Sequence, residues 1–124
     1  MEIIIANNSK IPLFEQIKEQ IKDAIYAGTL KDGDALPSLR QLAKDLHVSV
    51  ITTKRAYEDL EREGFVVTTV GKGTFVGAVE PHILREWQLR EIENGMEELV
   101  RDVKKIGLSR SECMDLFDLY WEEE

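Results

Sequence analysis

The chain has 124 residues and a mass of 14.2 kDa, which is the size of one small domain or of one domain with a short appendage. Its 43% hydrophobic and 32% charged residues are typical of a folded protein, and no apolar run exceeds four residues, whereas a membrane-spanning helix needs about 20. The net charge is −8, the single cysteine (Cys113) excludes an internal disulfide bond, and no secretory pattern opens the chain, so we expect a cytoplasmic protein without a membrane partner.

The first predicted helix covers about 12–27. Pro12 stands at its start, where a first helical residue tolerates proline, and Gly28 follows its end. Between them, apolar residues recur at steps of three and four, as in an amphipathic helix: Phe14, Ile17, Ile21, Ala24 and Ile25. The preceding segment Ile3–Ile5 fits either a short strand or a tucked arm, and its length does not decide between them.

Two further short helices are predicted between residues 38 and 62. Ser38 can cap the second helix, and Ser49 can cap a third that runs to about Arg62. Only about three residues, beginning at His47, separate them, and two short helices joined by so tight a turn form a helix-turn-helix. Histidine tolerates a positive φ better than most residues, so His47 is compatible with that turn.

A β-hairpin is predicted after the third helix. Residues 65–70 are rich in β-branched side chains, Gly71–Gly73 form a turn, and residues 74–76 form a second strand. Three helices followed by a hairpin make a winged helix-turn-helix, which we assign to a DNA-binding domain at 1–79.

The remaining residues, 80–124, predict a tail of two helices. In the first of them, apolar residues recur at steps of three and four in a heptad-like seam: Leu89, Ile92, Met96, Leu99, Val103 and Ile106. Ser109 and Glu112 form a capping box for the last helix, whose apolar face includes Leu116, Phe117 and Tyr120. Two helices offer too little core to bury these faces alone, so we expect a homodimer interface at these nine positions. The fold class is mainly α with a small β-hairpin.

Charge and helical phase predict where DNA would bind. Residues 36–57 hold four basic side chains against Asp45 alone, a basic island in an acidic chain. On a helical wheel, Thr53, Ala56 and Tyr57 face the core, while Ile51, Lys54 and Arg55 face outward. Side chains at the start of such a helix meet base edges, and capping hydroxyls and wing residues can reach the DNA backbone. The candidate DNA-binding residues are Ser38, Arg40, Ser49, Val50, Ile51, Thr52, Lys54, Arg55, Gly71, Lys72 and Gly73.

Three blocks, at 36–49, 52–64 and 71–76, arrive in order at the spacing of one known family. The sequence resembles the GntR family of bacterial transcription regulators, and most closely its YtrA-type subfamily, which pairs a winged domain with a short two-helix tail. The resemblance implies a dimeric repressor, often of operons for membrane transporters. Two positions depart from the family pattern: Val50 stands where arginine is common, and His47 stands where glycine is frequent.

The function predicted from the sequence is that of a dimeric repressor that binds an inverted-repeat operator. The alternative is a winged-helix adaptor that docks a protein partner without binding DNA directly. An enzyme is not indicated, because we find no catalytic set, no metal-ligand spacing and no phosphate-binding loop before a helix. We therefore expect no cofactor and no metal. A small-molecule effector is not indicated, and one would have to bind at or near the dimer seam.

Overall fold

The computed structural model describes residues 1–123 and confirms a mainly helical fold with a winged helix-turn-helix followed by two helices. Its elements are α1 (Leu13–Tyr26), α2 (Leu39–Leu46), α3 (Val50–Arg62), β1 (Val66–Thr69), β2 (Gly73–Val76), α4 (Pro81–Lys105) and α5 (Arg110–Glu122). By its contacts the chain forms two compact units, one of Met1–Leu84 and one that begins at Arg85. The first turn of α4 thus belongs to the unit that contains the wing.

The helix-turn-helix forms for the local reasons that the sequence suggests. Ser38 and Ser49 are extended N-cap residues, and each hydroxyl oxygen accepts a hydrogen bond from the backbone N–H three residues on. His47 ends α2 in the left-handed region, with φ 57° and ψ 44°. The prediction that histidine would support this turn is confirmed.

The core of the first unit lies between α1, α3 and the hairpin. Its most deeply buried side chains are Ile17, Ile21, Thr53, Ala56, Leu60, Val66 and Val76. The outward-facing and core-facing halves of α3 are those given by the helical wheel. The helix is also fixed by polar contacts, since the Tyr57 hydroxyl donates a 2.7 Å hydrogen bond to the Pro37 carbonyl oxygen.

The wing is an antiparallel pair in which Val66 faces Val76 and Thr69 faces Gly73. Gly73 therefore belongs to β2, and the turn comprises residues 70–72, one position earlier than predicted. The difference arises because Thr69 and Gly73 close the ladder around a turn in which Lys72 N–H donates to the Thr69 carbonyl oxygen. Residues 33–36, for which no strand was predicted, also pair with β2 through Gly33, Leu36 and Val76.

The N-terminal segment is a tucked arm that lies along α1. Gln20 exchanges two hydrogen bonds with the backbone of Ile4, at 2.9 and 2.7 Å, and Gln16 does the same with Ala6, at 2.8 and 3.0 Å. Each glutamine amide thus binds both the N–H and the carbonyl oxygen of one arm residue, as a neighbouring β-strand would. Pro12 is the N-cap residue of α1, with ψ 147°, so the helix begins one residue later than predicted.

The second unit contains most of α4 and all of α5. The predicted capping box is present, since Ser109 and Glu112 exchange hydrogen bonds of 3.1 Å. The backbone N–H of Ser109 holds the pKa of the Glu112 carboxyl below its usual value. No residue in the described length of either helix is buried.

Candidate nucleic-acid interface

The outward face of α3 carries the side chains proposed to read bases. Ile51 is 80% exposed and Val50 is 42% exposed, and Lys54 and Arg55 are exposed as well. The exposures of Ile51, Lys54 and Arg55 agree with the helical wheel. All four side chains lie in the first two turns of α3, the part of such a helix that enters the major groove in DNA complexes.

The three candidate hydroxyls already have hydrogen-bond partners within the protein. Ser38 caps α2, Ser49 caps α3, and the Ser49 and Thr52 hydroxyl oxygens lie 2.8 Å apart. A hydroxyl oxygen that caps a helix still has its own hydrogen, which can be donated to a phosphate oxygen. Both caps are exposed and stand at helix N-termini, where partial positive charge favours an anion.

The three basic side chains nearest these caps, Arg40, Lys54 and Arg55, differ in their contacts with other side chains. Arg40 is exposed at the second residue of α2. The Lys54 ammonium lies 3.9 Å from the Glu58 carboxylate, an exposed pair that costs little to separate. Arg55 stacks on the ring of Phe14, with its guanidinium carbon 3.7 Å from the ring centre.

The wing presents its turn to solvent. Gly71 and Lys72 are exposed, and Gly71 has φ 78°, a conformation that favours glycine. Gly73 is exposed as well and has φ 116°. An exposed lysine flanked by two glycines can approach a phosphate backbone closely.

Helix α3 and the wing also share a surface depression of about 260 Å³. Lys54, Tyr57 and Glu58 line it from α3, and Thr68 and Thr74 line it from the hairpin. The base-facing helix and the wing are therefore neighbours across a concave surface in the first unit. This arrangement suits a duplex, which offers a groove to a helix and a flanking backbone to a wing.

Sequence reasoning missed two residues that position this surface. Phe14 was assigned to the apolar stripe of α1, although its ring carries Arg55. Tyr57 was assigned to the core, and its hydrogen bond to Pro37 was not foreseen. Burial raises the pKa of the Tyr57 hydroxyl, which remains a neutral donor. An aromatic residue at the solvent edge of an amphipathic stripe was the available signal for Phe14.

The candidate dimer residues lie on surfaces that the tail leaves open. Along α4, Leu89, Ile92, Met96, Leu99 and Ile106 are 52–77% exposed. Val103 is half-buried. Between α4 and α5, an apolar groove of about 280 Å³ is lined by Leu99, Val100, Val103, Leu108, Cys113, Leu116, Phe117 and Tyr120. The groove thus brings five of the nine predicted positions together and adds Val100, Leu108 and Cys113 to them.

Residues 1–123 contain neither a membrane-spanning helix nor a cluster of metal-ligating side chains. None of the helices they form is both long enough and apolar enough to span a bilayer. Within residues 1–123, no three His, Cys, Asp or Glu side chains are grouped to hold a metal ion.

An exposed capped helix beside a hairpin wing defines a winged-helix DNA-binding protein. The family model described as bacterial regulatory proteins, gntR family, matches residues 13–76, more than half of the chain. The chain therefore belongs to the GntR family of transcription regulators.

Three individual similarities support this membership. The transcriptional repressor YtrA of Bacillus subtilis is 35% identical over 106 residues, which cover 86% of this chain and 82% of that protein. The structure of YtrA from Sulfolobus acidocaldarius, a GntR-family transcription factor, is 38% identical with a TM-score of 0.59, covering 73% of this chain and 97% of the other. The DNA-binding domain of AraR in complex with operator ORX1 is 28% identical with a TM-score of 0.55, covering 62% of this chain and 96% of that one.

Proposed function

We propose that the protein is a cytoplasmic, homodimeric repressor that binds an inverted-repeat operator in double-stranded DNA. The observation that carries the proposal is the exposed start of α3, where Ile51, Lys54 and Arg55 project beside a capped helix terminus. Repression is suggested by the relative YtrA, which is named a repressor. Operator binding is suggested by the AraR domain, which was solved with DNA.

Contacts with DNA are assigned by chemistry. Lys54 and Arg55 can donate to guanine or to phosphate, and Val50 and Ile51 can contact thymine methyl groups. Arg40, Lys72 and the hydroxyls of Ser38, Ser49 and Thr52 can hold phosphates, while Gly71 and Gly73 let the wing approach closely. The acidic balance of the whole chain does not oppose this, since only charge near the phosphates matters at physiological salt.

Dimer formation is assigned to residues 80–124. The apolar seam of α4 and the groove against α5 remain exposed in one copy, and the described part of this tail buries no residue of its own helices. A second copy supplies a matching apolar face through a two-fold axis. Two-fold symmetry of the protein then requires two-fold symmetry of the operator, hence an inverted repeat.

A selection experiment tests these assignments. Duplexes with a random central segment are selected on the purified full chain, and the recovered sequences are aligned. We expect an inverted repeat, bound with an affinity that falls steeply between about 50 and 200 mM salt. Failure to retain any duplex, combined with capture of a protein partner, would instead favour the adaptor function.

A further inference from the structure

Helices α1 and α3 face each other through a regular ladder of side chains. Three residues of α1 contact three residues on the α3 side, and within each set the residues are spaced four apart. The contacts join Phe14 to Arg55, Lys18 to Asp59, and Lys22 to Glu63. The offset in sequence is the same at every rung, so the two helices run parallel and in register at this seam. Successive rungs are one helical turn apart.

The lower two rungs are ionic. Lys18 lies 3.9 Å from the Asp59 carboxylate and 2.8 Å from the Glu63 carboxylate, and Lys22 lies 2.9 Å from Glu63. Here α1 supplies the cations and α3 supplies the anions. These pairs fix the spacing of the helices and neutralise the acidic end of α3.

The first rung differs in kind. Arg55 meets the ring of Phe14 at 3.7 Å from the ring centre, and no carboxylate in the described residues pairs with its guanidinium. A guanidinium this close to a ring is held through its flat face, so its in-plane N–H bonds remain available to a planar acceptor. A carboxylate at position 14 would have occupied those donors.

Phe14 is itself held in place by the turn before it. Buried Gln16, two residues after Phe14, donates to the Ile11 carbonyl oxygen at 2.8 Å and exchanges hydrogen bonds with Ala6. These bonds anchor the start of α1, whose N-cap Pro12 offers no side-chain cap. The backbone at the start of α1, which carries Phe14, is therefore anchored.

We propose that Phe14 is a positioning residue for DNA reading, a platform that holds the Arg55 guanidinium extended and unpaired for its acceptor in the operator. The inference rests on the proposed function, because it requires that α3 contact DNA. Phe14 touches no DNA in this scheme and acts only through Arg55. It makes an α1 residue a determinant of operator affinity.

The test is a set of double-mutant cycles on the selected inverted-repeat duplex. Phe14→Leu removes the ring and keeps most of the volume, and we expect about a three- to fivefold loss of affinity. The loss should persist in the Lys54→Ala background and vanish in the Arg55→Ala background. Phe14→Tyr keeps the ring and should keep the wild-type affinity.

Two results of the double-mutant cycles would overturn the proposal. The first is an equal loss from Phe14→Leu with and without Arg55, which assigns the ring a packing role only. The second is a Phe14→Tyr variant that binds as weakly as Phe14→Leu. Thermal unfolding of each variant shows whether it is folded, and Phe14→Met replaces Phe14→Leu in the cycle if the leucine variant unfolds.

Failure of the proposed function gives a different pattern. If α3 does not contact the duplex, Lys54→Ala and Arg55→Ala both leave the affinity unchanged, whatever Phe14 does. If α3 contacts the duplex and Phe14 is not a platform, Arg55→Ala weakens binding and Phe14→Leu does not. The single variants therefore separate the two failures.

Discussion

The hydroxyl of Tyr57 donates a 2.7 Å hydrogen bond to the carbonyl oxygen of Pro37, twenty residues earlier in the chain. Pro37 immediately precedes Ser38, the cap of α2, and Tyr57 lies in the middle of α3. A second bond of this kind links the helices, since the Thr53 hydroxyl lies 3.0 Å from the Leu39 carbonyl oxygen. The angle between the two helices of the helix-turn-helix is thus fixed by polar contacts as well as by packing.

Removing the tyrosine hydroxyl tests this link. Tyr57→Phe should keep the fold and lower the free energy of unfolding by about 1–2 kcal/mol, because a partly buried carbonyl loses its donor. Denaturant titration measures the change. Thr29→Val, which removes an exposed hydroxyl from the loop after α1, should change stability far less. Equal stability of Tyr57→Phe and the wild type would contradict the link.

Acid should weaken the ion pairs between α1 and α3. Partial burial opposes ionisation of Glu63, but hydrogen bonds from Lys18 and Lys22 outweigh it and hold its pKa below the ordinary value of 4.5. A lowered pKa gives stability that is present above the unfolded-state pKa and is lost as the pH falls through the folded-state pKa. We expect the free energy of unfolding of the wild type to exceed that of Glu63→Gln by about 0.5–1 kcal/mol at pH 7. The difference should become progressively smaller below pH 4.5.

Urea unfolding at several pH values between 7 and 3 would measure this difference, if folding stays two-state. The matched control is Glu58→Gln, which removes a carboxylate from an exposed pair with Lys54. Its unfolding free energy should run parallel to that of wild type across the range. A difference between wild type and Glu63→Gln that does not shrink in acid would show that the carboxylate contributes through packing.

The dimer seam can be broken by one charge. Leu99→Glu places a carboxylate in the apolar groove between α4 and α5, and we expect sedimentation at micromolar concentration to show a monomer. Asn94→Glu adds the same charge at an exposed position of α4 pointing away from the seam, and it should leave the dimer intact. A wild-type protein that already sediments as a monomer would refute the proposed interface.

Binding to a panel of half-site variants should distinguish side chains that position the protein on DNA from side chains that read bases. Arg40→Ala should weaken binding to all duplexes alike if the side chain holds a phosphate. Lys54→Ala and Arg55→Ala should each cost about 1–3 kcal/mol and relax preference at one base pair if the side chain reads guanine. Lys10→Ala removes an exposed cation outside the interface and controls for net charge. Uniform losses for Lys54 and Arg55 would show that α3 positions without reading.

Structural features that depend on residues close together in the chain were predictable from the sequence. Ser38, Ser49 and Ser109 each accept a hydrogen bond from the backbone N–H three residues on, so the local sequence is enough to predict the cap. The outward phase of Ile51 follows from the helical period alone. His47 took the left-handed conformation that its place in the turn demands.

Features that depend on distant partners were not predictable. The pairing of residues 33–36 with β2 joins segments about forty residues apart, and four residues carry no strand pattern. The sequence pattern gives no sign that Gln16 and Gln20 bind the N-terminal arm, because their partners lie at least ten residues away in the chain. The ladder of Phe14 and Arg55 requires the register of two packed helices, which no single periodicity contains.

The exposed Ile51 at the start of α3 leads to a prediction about thymine. One exposed isoleucine is unremarkable, but this one lies at the tip of the helix proposed to enter the major groove. Ile51→Ala should leave the melting temperature almost unchanged, because the side chain is 80% exposed. It should weaken operator binding modestly if the side chain contacts a thymine methyl group.

Replacing the contacted thymine with uracil removes the methyl group, so the same contact is lost from the DNA rather than from the protein. The uracil duplex should therefore reproduce the loss with wild type, and combining it with Ile51→Ala should cost less than the sum of the two changes. Ile4→Ala, at an isoleucine 72% exposed on the N-terminal arm, controls for loss of exposed apolar surface and should leave binding unchanged. Fully additive losses would mean that Ile51 contacts some other group, and a melting temperature lowered by several degrees with binding intact would place Ile51 in the protein core.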